Sequence, residues 1–421
     1  MILQYFSRFL PDDGMLYKNL IKDAPRIANQ GFKYVWLPPP SKTLMEPMIH
    51  RMGYGIYDRY DLGEFDQCGS VRTKYGTKDE LIEAIDVCHK NKLQVILDLV
   101  LAHIFVDYEN IKYEECEPHN YRRVLLPTIP EFASKYSTYK WNKNSFWMIP
   151  QHKIDNDGPL VLNQQSDLPG GYLMGYAINY ENREMMRETI NWVKWLADTT
   201  KCDGFRIDSA KHVRTPFLRE LSNKVFNPRN MYIIYELIGD CGWGDHLSNQ
   251  YHTKNKNIFD FSAFYEVRNR NHDFDRMISS PYLKFVTTHD TEPYADIDGI
   301  DQNKKLFFYT FILFHEKMNV CVFQKDIEDL ELGKVLLAAK KHARGEQTIY
   351  RDHHCIAISR ISANTSCVVL ISNKDDKNWL MRCKANKTYK NLFSDDMITT
   401  ESDHHHFWCK HHSVSIWIEV A

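Results

Sequence analysis

Apolar strand segments alternate with helical segments along most of the chain before residue 341, and this rhythm limits the possible fold more than any other feature. We count eight such strand segments, among them Gln94–His103 and Leu283–Thr287. The first of these two is almost continuously apolar, as in a strand that is buried on both faces of a parallel sheet. A capping box at Thr77–Glu80 predicts the start of one of the helices. The alternation predicts a (β/α)8 barrel, with a last helix over about 326–343.

Two regions break the rhythm. Residues 104–175 are rich in Tyr, Pro, Asn and Gly and are too long for an ordinary connection, so they predict an inserted subdomain after the third strand. Beyond residue 345 the pattern becomes turn-rich β. We therefore expect a barrel formed by 1–103 and 176–344, an insertion at 104–175 and a C-terminal antiparallel β-sandwich domain at 345–421.

Charge and cysteine usage argue against a protein that binds nucleic acid or anionic membranes and against a disulfide-bonded one. The 421 residues carry a formal net charge of −2, so no global positive field favours nucleic acid or anionic membranes as partners. The ten cysteines show no CxxC pair, which is typical of reduced thiols in the cytoplasm. The first residues do not resemble a signal peptide, and no apolar run approaches a membrane span. We expect a soluble, cytoplasmic, monomeric protein.

The stretch CDGFRIDSAKHV carries the first candidate for catalysis. The period of two along a strand places Gly204, Arg206 and Asp208 on one face. A neighbouring guanidinium favours the charged carboxylate, so we expect Asp208 to stay ionised and to suit nucleophilic attack on a sugar carbon. An Arg–Asp pair alone is more often a structural bridge.

Two more carboxylates follow apolar strands. Glu236 lies between hydrophobic residues, and partial desolvation is expected to raise its pKa, as suits a general acid. Asp290 ends the segment KFVTTHD, beside His289. Each carboxylate alone would usually be a cap or a salt bridge. Three at the ends of strands four, five and seven of one barrel instead suit an oxocarbenium-like transition state.

These motifs, taken in order, resemble the α-amylase family, glycoside hydrolase family 13, and especially its cytosolic and bacterial liquefying members. The stretches that carry the resemblance are GYGIYDRYDLGEFDQCGSVRTKYGTKDEL, DLVLAH, DGFRIDSAKH, the strand before Glu236, and HDTEP. The resemblance covers nearly all of the chain and is weakest in the insertion and in the last ~75 residues.

The resemblance implies a role for each matching residue. The catalytic roles of nucleophile, acid/base and transition-state stabiliser fall on Asp208, Glu236 and Asp290, in that order. At the cleavage site the resemblance implies that Tyr57 stacks on the sugar ring. It implies that hydroxyls of this sugar are held by Arg206, His103 and His289. The leaving-group side is contacted by Lys211 and His212. Asp98 matches a structural aspartate.

Several positions depart from the family. An Asn and an Asp that bind a structural calcium ion in the family correspond here to Ala102 and Ala177, and another acidic ligand falls near Gly171. Calcium takes about six to eight oxygen ligands, often from carboxylates, so we expect no usual calcium, no other cofactor and an insertion held by packing. Thr288 stands where an Asn commonly precedes the His. Other acids could rebuild a metal site, although solvated loop acids are the simpler interpretation: Asp155, Asp157 and Asp167.

Two histidine-rich tracts suggest metal binding, but both lie in the predicted C-terminal domain. One is an Asp352–His354 loop, to which we assign no catalytic role. The other is best interpreted as a surface hairpin, and its histidines are His404, His405, His406, His411 and His412.

The sequence thus predicts a retaining, endo-acting α-1,4-glucan hydrolase acting on starch, glycogen or maltodextrins. One alternative is an α-glucosidase or transglycosylase that acts on short maltodextrins. A second is a glucan-binding protein with impaired turnover, suggested by Ala102, Ala177 and Thr288.

Overall fold

The structure is a computed structural model. It describes residues 1–43, 52–105, 111–117, 120–125, 136–141, 145–148, 151–152, 159–160, 173–238, 256–269, 278, 280–292, 302–329 and 332–420. The chain divides into two compact units. The terminal unit comprises Met1–Arg8, Pro25–Lys33 and Asp260–Ala421, and the central unit comprises Phe9–Ala24 and Tyr34–Phe259.

Parallel strands alternate with helices, as predicted. The parallel strands are β1 (Ile2–Gln4), β2 (Tyr34–Leu37), β3 (Gln94–Leu99), β4 (Gly204–Ile207), β5 (Tyr232–Tyr235), β6 (Lys256–Ile258) and β7 (Cys321–Phe323). The helices are α1 (Leu16–Asn29), α2 (Lys78–Lys90), α3 (Arg183–Thr200), α4 (Thr215–Leu221), α5 (Phe261–Asn269), α6 (Gln302–Phe314), α7 (Gln324–Asp329) and α8 (Leu332–His342). Among the described helices none is long and apolar enough to cross a membrane.

The central unit contains five of these strands in one parallel sheet. They follow the order β6-β5-β4-β3-β2, so strands that succeed each other in sequence are neighbours in space. Strands β4 and β5 approach closely at Gly204, where an added Cβ would lie 2.0 Å from the carbonyl oxygen of Tyr232. Both faces of β3 and β4 are buried, which explains why most of their residues are apolar.

The capping box before α2 is confirmed. The Thr77 hydroxyl accepts from the Glu80 backbone N–H, and the Glu80 carboxylate accepts from the Thr77 backbone N–H. The third strand is shorter than predicted, because β3 ends at Leu99. His103 and Ile104 form a separate short strand that pairs with Tyr176–Ile178.

In the terminal unit, β1 pairs in parallel with β7. Of the strand predicted at Leu283–Thr287, only Leu283 and Lys284 form isolated bridges, and Lys284 bridges in parallel to Val320. The helix predicted over 326–343 is described as α7 and α8, and residues 330 and 331 between them lie outside the described residues. A buried ion pair of 2.8 Å between Lys284 and Asp260 lies at the bridge.

The C-terminal residues form antiparallel sheets, as predicted. Their strands are β8 (Glu346–Arg351), β9 (Cys355–Ile361), β10 (Ser366–Ser372), β11 (Lys377–Arg382), β12 (Thr388–Asn391), β13 (Met397–Thr399), β14 (His404–Cys409) and β15 (Ser413–Val420). Six strands follow the order β8-β9-β10-β15-β12-β13, and β11 pairs with β14. Aromatic residues fill the core of this region: Tyr389, Phe407 and Trp417 are fully buried.

The predicted insertion, 104–175, contains the short strands Ile111–Glu117, Asn120–Leu125, Phe146–Met148, Gln151–His152 and Pro159–Leu160 among its described residues. His103–Ile104 and Tyr176–Ile178 lie at its two ends, and Lys42–Thr43 pairs with Ile56–Asp58 outside it. Ile104, Phe146 and Tyr176 form a small apolar cluster against Trp141. The predicted domain boundaries stay predictions.

Candidate active site

Arg206 binds three carboxylates at the end of the central sheet. Its Nη1 lies 2.7 Å from Oδ1 of Asp208 and 2.9 and 3.0 Å from the two carboxylate oxygens of Asp98. Its Nη2 lies 2.8 Å from Oε1 of Glu236. All four residues are buried, and Arg206 is only 1% exposed. The contact between Arg206 and Asp208 was expected from the sequence, whereas the shared contacts with Asp98 and Glu236 were not.

The sheet register explains this convergence. Arg206 on β4 lies opposite Asp98 on β3. The backbone ladder continues one step past each strand, since the Asp208 N–H donates to Leu99 O at 3.1 Å and the Glu236 N–H to Ile207 O at 3.1 Å. The carboxyl ends of neighbouring parallel strands lie at one edge of a sheet, so these side chains meet there.

Asp98 is held by three donors. The Tyr54 hydroxyl donates to its Oδ2 at 2.7 Å and the Trp36 indole N–H at 3.3 Å, in addition to Arg206. Burial raises the pKa of Asp98 to about 6, although the charge of Arg206 opposes this and that of Glu236 adds to it. This position fits the structural role that the resemblance implies.

The guanidinium of Arg206 stays charged. Burial opposes the charge, but the carboxylates of Asp98 and Glu236 outweigh it and keep the pKa of Arg206 well above its ordinary value. The faces of two aromatic rings add cation–π contacts, with the guanidinium carbon 5.2 Å from the Trp36 ring centre and 5.8 Å from that of Tyr54. The cluster therefore has one permanent cation among three carboxylates.

The turn after β4 holds Glu236. Ser209 adopts a left-handed conformation (φ 43°, ψ 47°) that is uncommon outside glycine, and its backbone N–H donates to Oε2 of Glu236 at 2.7 Å. The Ala210 N–H donates to the Glu236 backbone carbonyl at 2.9 Å. The carboxylate of Glu236 is buried, as predicted, but a guanidinium and a backbone N–H contact it, so its surroundings are not simply apolar.

The predicted substrate residues of the central unit lie near this turn or on short strands. Nε2 of His103 lies 2.9 Å from the Tyr54 carbonyl oxygen, which only accepts, so Nε2 carries a proton. Tyr57 is partly exposed in the strand Ile56–Asp58. Lys211 and His212 are partly exposed in a single 3₁₀ turn, Ala210–His212.

His289 and Asp290 belong to the terminal unit. Nε2 of His289 lies 3.3 Å from Oδ2 of Asp290, and its Nδ1 lies 3.0 Å from Nε2 of Gln4. The Phe6 ring packs against the imidazole, with ring centres 4.9 Å apart. Thr288 accepts the Asp290 backbone N–H on its hydroxyl at 3.3 Å, which supports the turn. The prediction that Asp290 meets Asp208 and Glu236 stays a prediction.

The two positions that depart from the family's calcium ligands carry only methyl groups. The Ala102 carbonyl oxygen accepts the Ile178 N–H at 3.1 Å, and Ala177 pairs with His103 in the short sheet. Within the described ranges, no group of three or more His, Cys, Asp or Glu side chains could hold a metal ion. The residues present at these two positions do not fit calcium. Gly171 and the acids at 155, 157 and 167 lie outside the described residues.

The histidine-rich tracts lie in the C-terminal sheets. His404 and His406 are exposed on β14, which pairs with β11, and contact Asp403 and Asn378. His411 contacts Asp376 at 2.7 Å. Asp352 accepts backbone N–H groups of the turn that follows it. The tract that begins at His404 lies at the surface, as predicted, but it is not a hairpin, because β14 pairs with β11 whereas the next strand, β15, pairs with β10 and β12.

Comparison with known proteins identifies the family. The family described as "Alpha amylase, catalytic domain" matches residues 20–354. A cytoplasmic alpha-amylase from Escherichia coli (strain K12) is 30% identical over 495 aligned residues, covering 99% of this chain and 98% of that protein. An alpha-amylase from Bacillus licheniformis is 30% identical, covering 84% of this chain and 78% of that protein.

The fold agrees with this assignment. The crystal structure of an alpha-amylase from Geobacillus thermoleovorans, complexed with acarbose, superposes with a TM-score of 0.67 at 18% identity and covers 100% of this chain and 98% of that one. The predicted fold class, a (β/α)8 barrel with a C-terminal antiparallel domain, is confirmed. The chain belongs to the α-amylase family and is a glycoside hydrolase.

Proposed function

We propose that this protein is a retaining, endo-acting α-1,4-glucan hydrolase that acts on starch, glycogen or maltodextrins. The observation that carries the proposal is the buried cluster in which Arg206 holds Asp208 and Glu236 on its two terminal nitrogens. A pure glucan-binding protein has no use for two buried carboxylates immobilised around one cation. The names of the relatives support the substrate class.

The reaction runs in two displacements. Oδ of Asp208 attacks the anomeric carbon while Glu236 transfers its proton to the departing glycosidic oxygen, which forms a glycosyl ester on Asp208. Glu236, now a carboxylate, takes a proton from water as the water oxygen attacks the same carbon and releases Asp208. The N–H of Ser209 and the guanidinium of Arg206 stabilise the carboxylate form of Glu236 between these steps.

We assign the remaining roles from the matching motifs. Asp290 stabilises the positive charge that develops on the ring, and Tyr57 stacks on the sugar. Hydroxyl groups of the sugar and of the leaving group are bound by His103, Arg206, His289, Lys211 and His212.

The test compares starch hydrolysis by the wild type, Asp208→Asn and a matched control, Asp198→Asn. Asp198 is an exposed aspartate of the central unit, paired with Arg229 at 3.0 Å. We expect Asp208→Asn to lower kcat by more than about 10³-fold and Asp198→Asn to leave it unchanged. Equal rates for wild type and Asp208→Asn would refute the enzymatic assignment and favour the glucan-binding alternative.

The product profile separates the enzymatic alternatives. An endo-acting hydrolase releases a range of oligosaccharides from long glucans, whereas an α-glucosidase releases glucose and a transglycosylase produces chains longer than its substrate. We expect the first pattern with amylose. Glucose as the main early product would instead favour the α-glucosidase assignment.

We also propose that the protein needs no calcium ion at the family's usual position, because the side chains of Ala102 and Ala177 supply no ligand atom. Packing supports the insertion instead: the Arg59 guanidinium lies 4.7 Å from the Trp192 ring centre and 5.3 Å from that of Trp141. Activity and Tm should be the same with and without EDTA. A sharp loss of either in EDTA would contradict this proposal.

For its setting, we propose a monomeric cytoplasmic protein whose partner is the glucan rather than nucleic acid or membrane. The name of the cytoplasmic relative from E. coli and the near-neutral net charge support this. Size-exclusion chromatography with light scattering tests the monomer, for which a mass near 49.8 kDa is expected.

A further inference from the structure

Gln4 contacts a residue of the proposed active site from a distant part of the sequence. It lies on β1, is fully buried and is separated from His289 by 285 residues. Its amide nitrogen lies 3.2 Å from the Phe6 carbonyl oxygen and 3.0 Å from Nδ1 of His289. One NH₂ group therefore serves two neighbours.

The Phe6 carbonyl decides the orientation of this amide. A carbonyl oxygen only accepts hydrogen bonds, so the NH₂ group of Gln4, and not its oxygen, must face Phe6. The same NH₂ group then faces Nδ1 of His289. Because an amide NH₂ only donates, Nδ1 has to accept, and the ring proton lies on Nε2.

This tautomer has a consequence for Asp290. Nε2 of His289, which then carries the remaining ring proton, lies 3.3 Å from Oδ2 of Asp290. The arrangement leaves the Gln4 Oε1 buried without a hydrogen-bond partner among the described residues. A buried acceptor without a partner is costly, so an apolar side chain would serve better here if Gln4 only filled space.

We propose that Gln4 is a positioning residue that fixes His289 as the neutral Nε2–H tautomer and so places the ring proton on the nitrogen that lies 3.3 Å from the Asp290 carboxylate. A third group that selects a histidine tautomer in this way is a general device for orienting a catalytic pair. The tautomer follows from the structure alone, whereas its importance for turnover rests on the proposed function.

The direct test is ¹⁵N NMR of the full-length protein labelled at histidine, in which the ring nitrogens report their protonation. A His289→Gln spectrum assigns the signals. In the wild type we expect Nδ1 of His289 to be unprotonated and Nε2 to be protonated. A proton on Nδ1 of the wild type would overturn the proposal, and no substituted protein has to fold for this outcome to be seen.

Gln4→Glu adds a second test, because a carboxylate only accepts and so demands a proton on Nδ1. We expect the Nδ1 signal to become protonated and kcat/KM on amylose to fall at least about 10-fold. Gln30→Glu is the matched control, since Gln30 is another buried glutamine of the terminal unit; it should change neither the His289 signals nor kcat/KM.

A purely structural role would lower Tm in Gln4→Glu without moving the protonation of His289, and that result would contradict the proposal. The proposed function fails separately: a wild type with the expected tautomer but without glucan hydrolysis would refute the function and leave the tautomer assignment standing.

Discussion

Replacing Arg206 by methionine leaves a buried group of carboxylates without the cation that they share. In the wild type the guanidinium contacts Asp98, Asp208 and Glu236 at 2.7 to 3.0 Å, and its side chain is 2% exposed. Removing one partner of a buried ion pair typically costs about 3–5 kcal/mol. We expect a loss in this range near neutral pH, which is a large part of the roughly 5–15 kcal/mol that stabilises a typical domain.

Arg206→Met should lose less stability in acid than at neutral pH, and the pKa of Asp98 shows why. Its pKa is raised to about 6 in the folded protein from an ordinary 3.8, so its contribution to stability is fully present below pH 3.8 and is lost as the pH rises through about 6. Arg206 opposes this rise, so Arg206→Met moves the pKa of Asp98 further up. At about pH 5, Asp98 of the variant is therefore a neutral acid, so the variant does not bury the uncompensated charge that it buries near pH 7.5.

Urea denaturation of the wild type and Arg206→Met, followed by tryptophan fluorescence, measures the difference at about pH 5 and about pH 7.5. We expect the loss at the lower pH to be smaller by at least about 1.4 kcal/mol, the equivalent of one pKa unit. Arg229→Met is the matched control. Its exposed ion pair with Asp198 should be worth less than about 1 kcal/mol. Equal losses at the two pH values for Arg206→Met would refute the reasoning.

Three further substitutions test how the central unit is built. Lys42→Met removes a buried ammonium that lies within 3.3 Å of four backbone carbonyl oxygens within 65–72 and of the buried Asp61 carboxylate, and should cost about 3–5 kcal/mol in urea denaturation; a loss below about 1 kcal/mol would contradict this. Gly204→Ala places a Cβ 2.0 Å from the Tyr232 carbonyl oxygen, so we expect more than about 4 kcal/mol or no folded protein, and a wild-type Tm would show the strand spacing to be wrong. Thr77→Ala removes the N-cap of α2 and should cost about 1 kcal/mol, whereas Thr77→Ser should be nearly neutral in the same measurement.

The alternation of strands and helices could be predicted because it depends on local patterns. The strand that carries Arg206 and the strand that precedes Glu236 are mostly apolar, and the capping box at Thr77 is a local hydrogen-bond motif, so each was visible in a short stretch of sequence. The segment at Leu283–Thr287 is buried too, yet only Leu283 and Lys284 form bridges. Apolar character predicts burial, and whether a buried segment also forms a ladder depends on its neighbour.

Contacts within the site could be predicted from the sequence only between residues of the same strand. Asp208 lies two residues from Arg206, so their contact follows from strand geometry. The other contacts of the site join residues far apart in sequence. The Ser209 contact with Glu236 uses a backbone N–H that a left-handed turn orients, and no side-chain pattern signals it. Tyr54 and Gln4 likewise act on residues 44 and 285 positions away, which no spacing rule connects.

The most direct test of the proposed mechanism is to trap its covalent intermediate. A fluorinated maltosyl fluoride forms a glycosyl ester that hydrolyses slowly, and peptide mass spectrometry locates the added sugar. We predict one glycosyl group per protein, on the peptide that contains Asp208, and none in Asp208→Asn. A label on Glu236 or Asp290 instead, or an active enzyme that forms no ester at all, would contradict the assignment of Asp208 as the nucleophile.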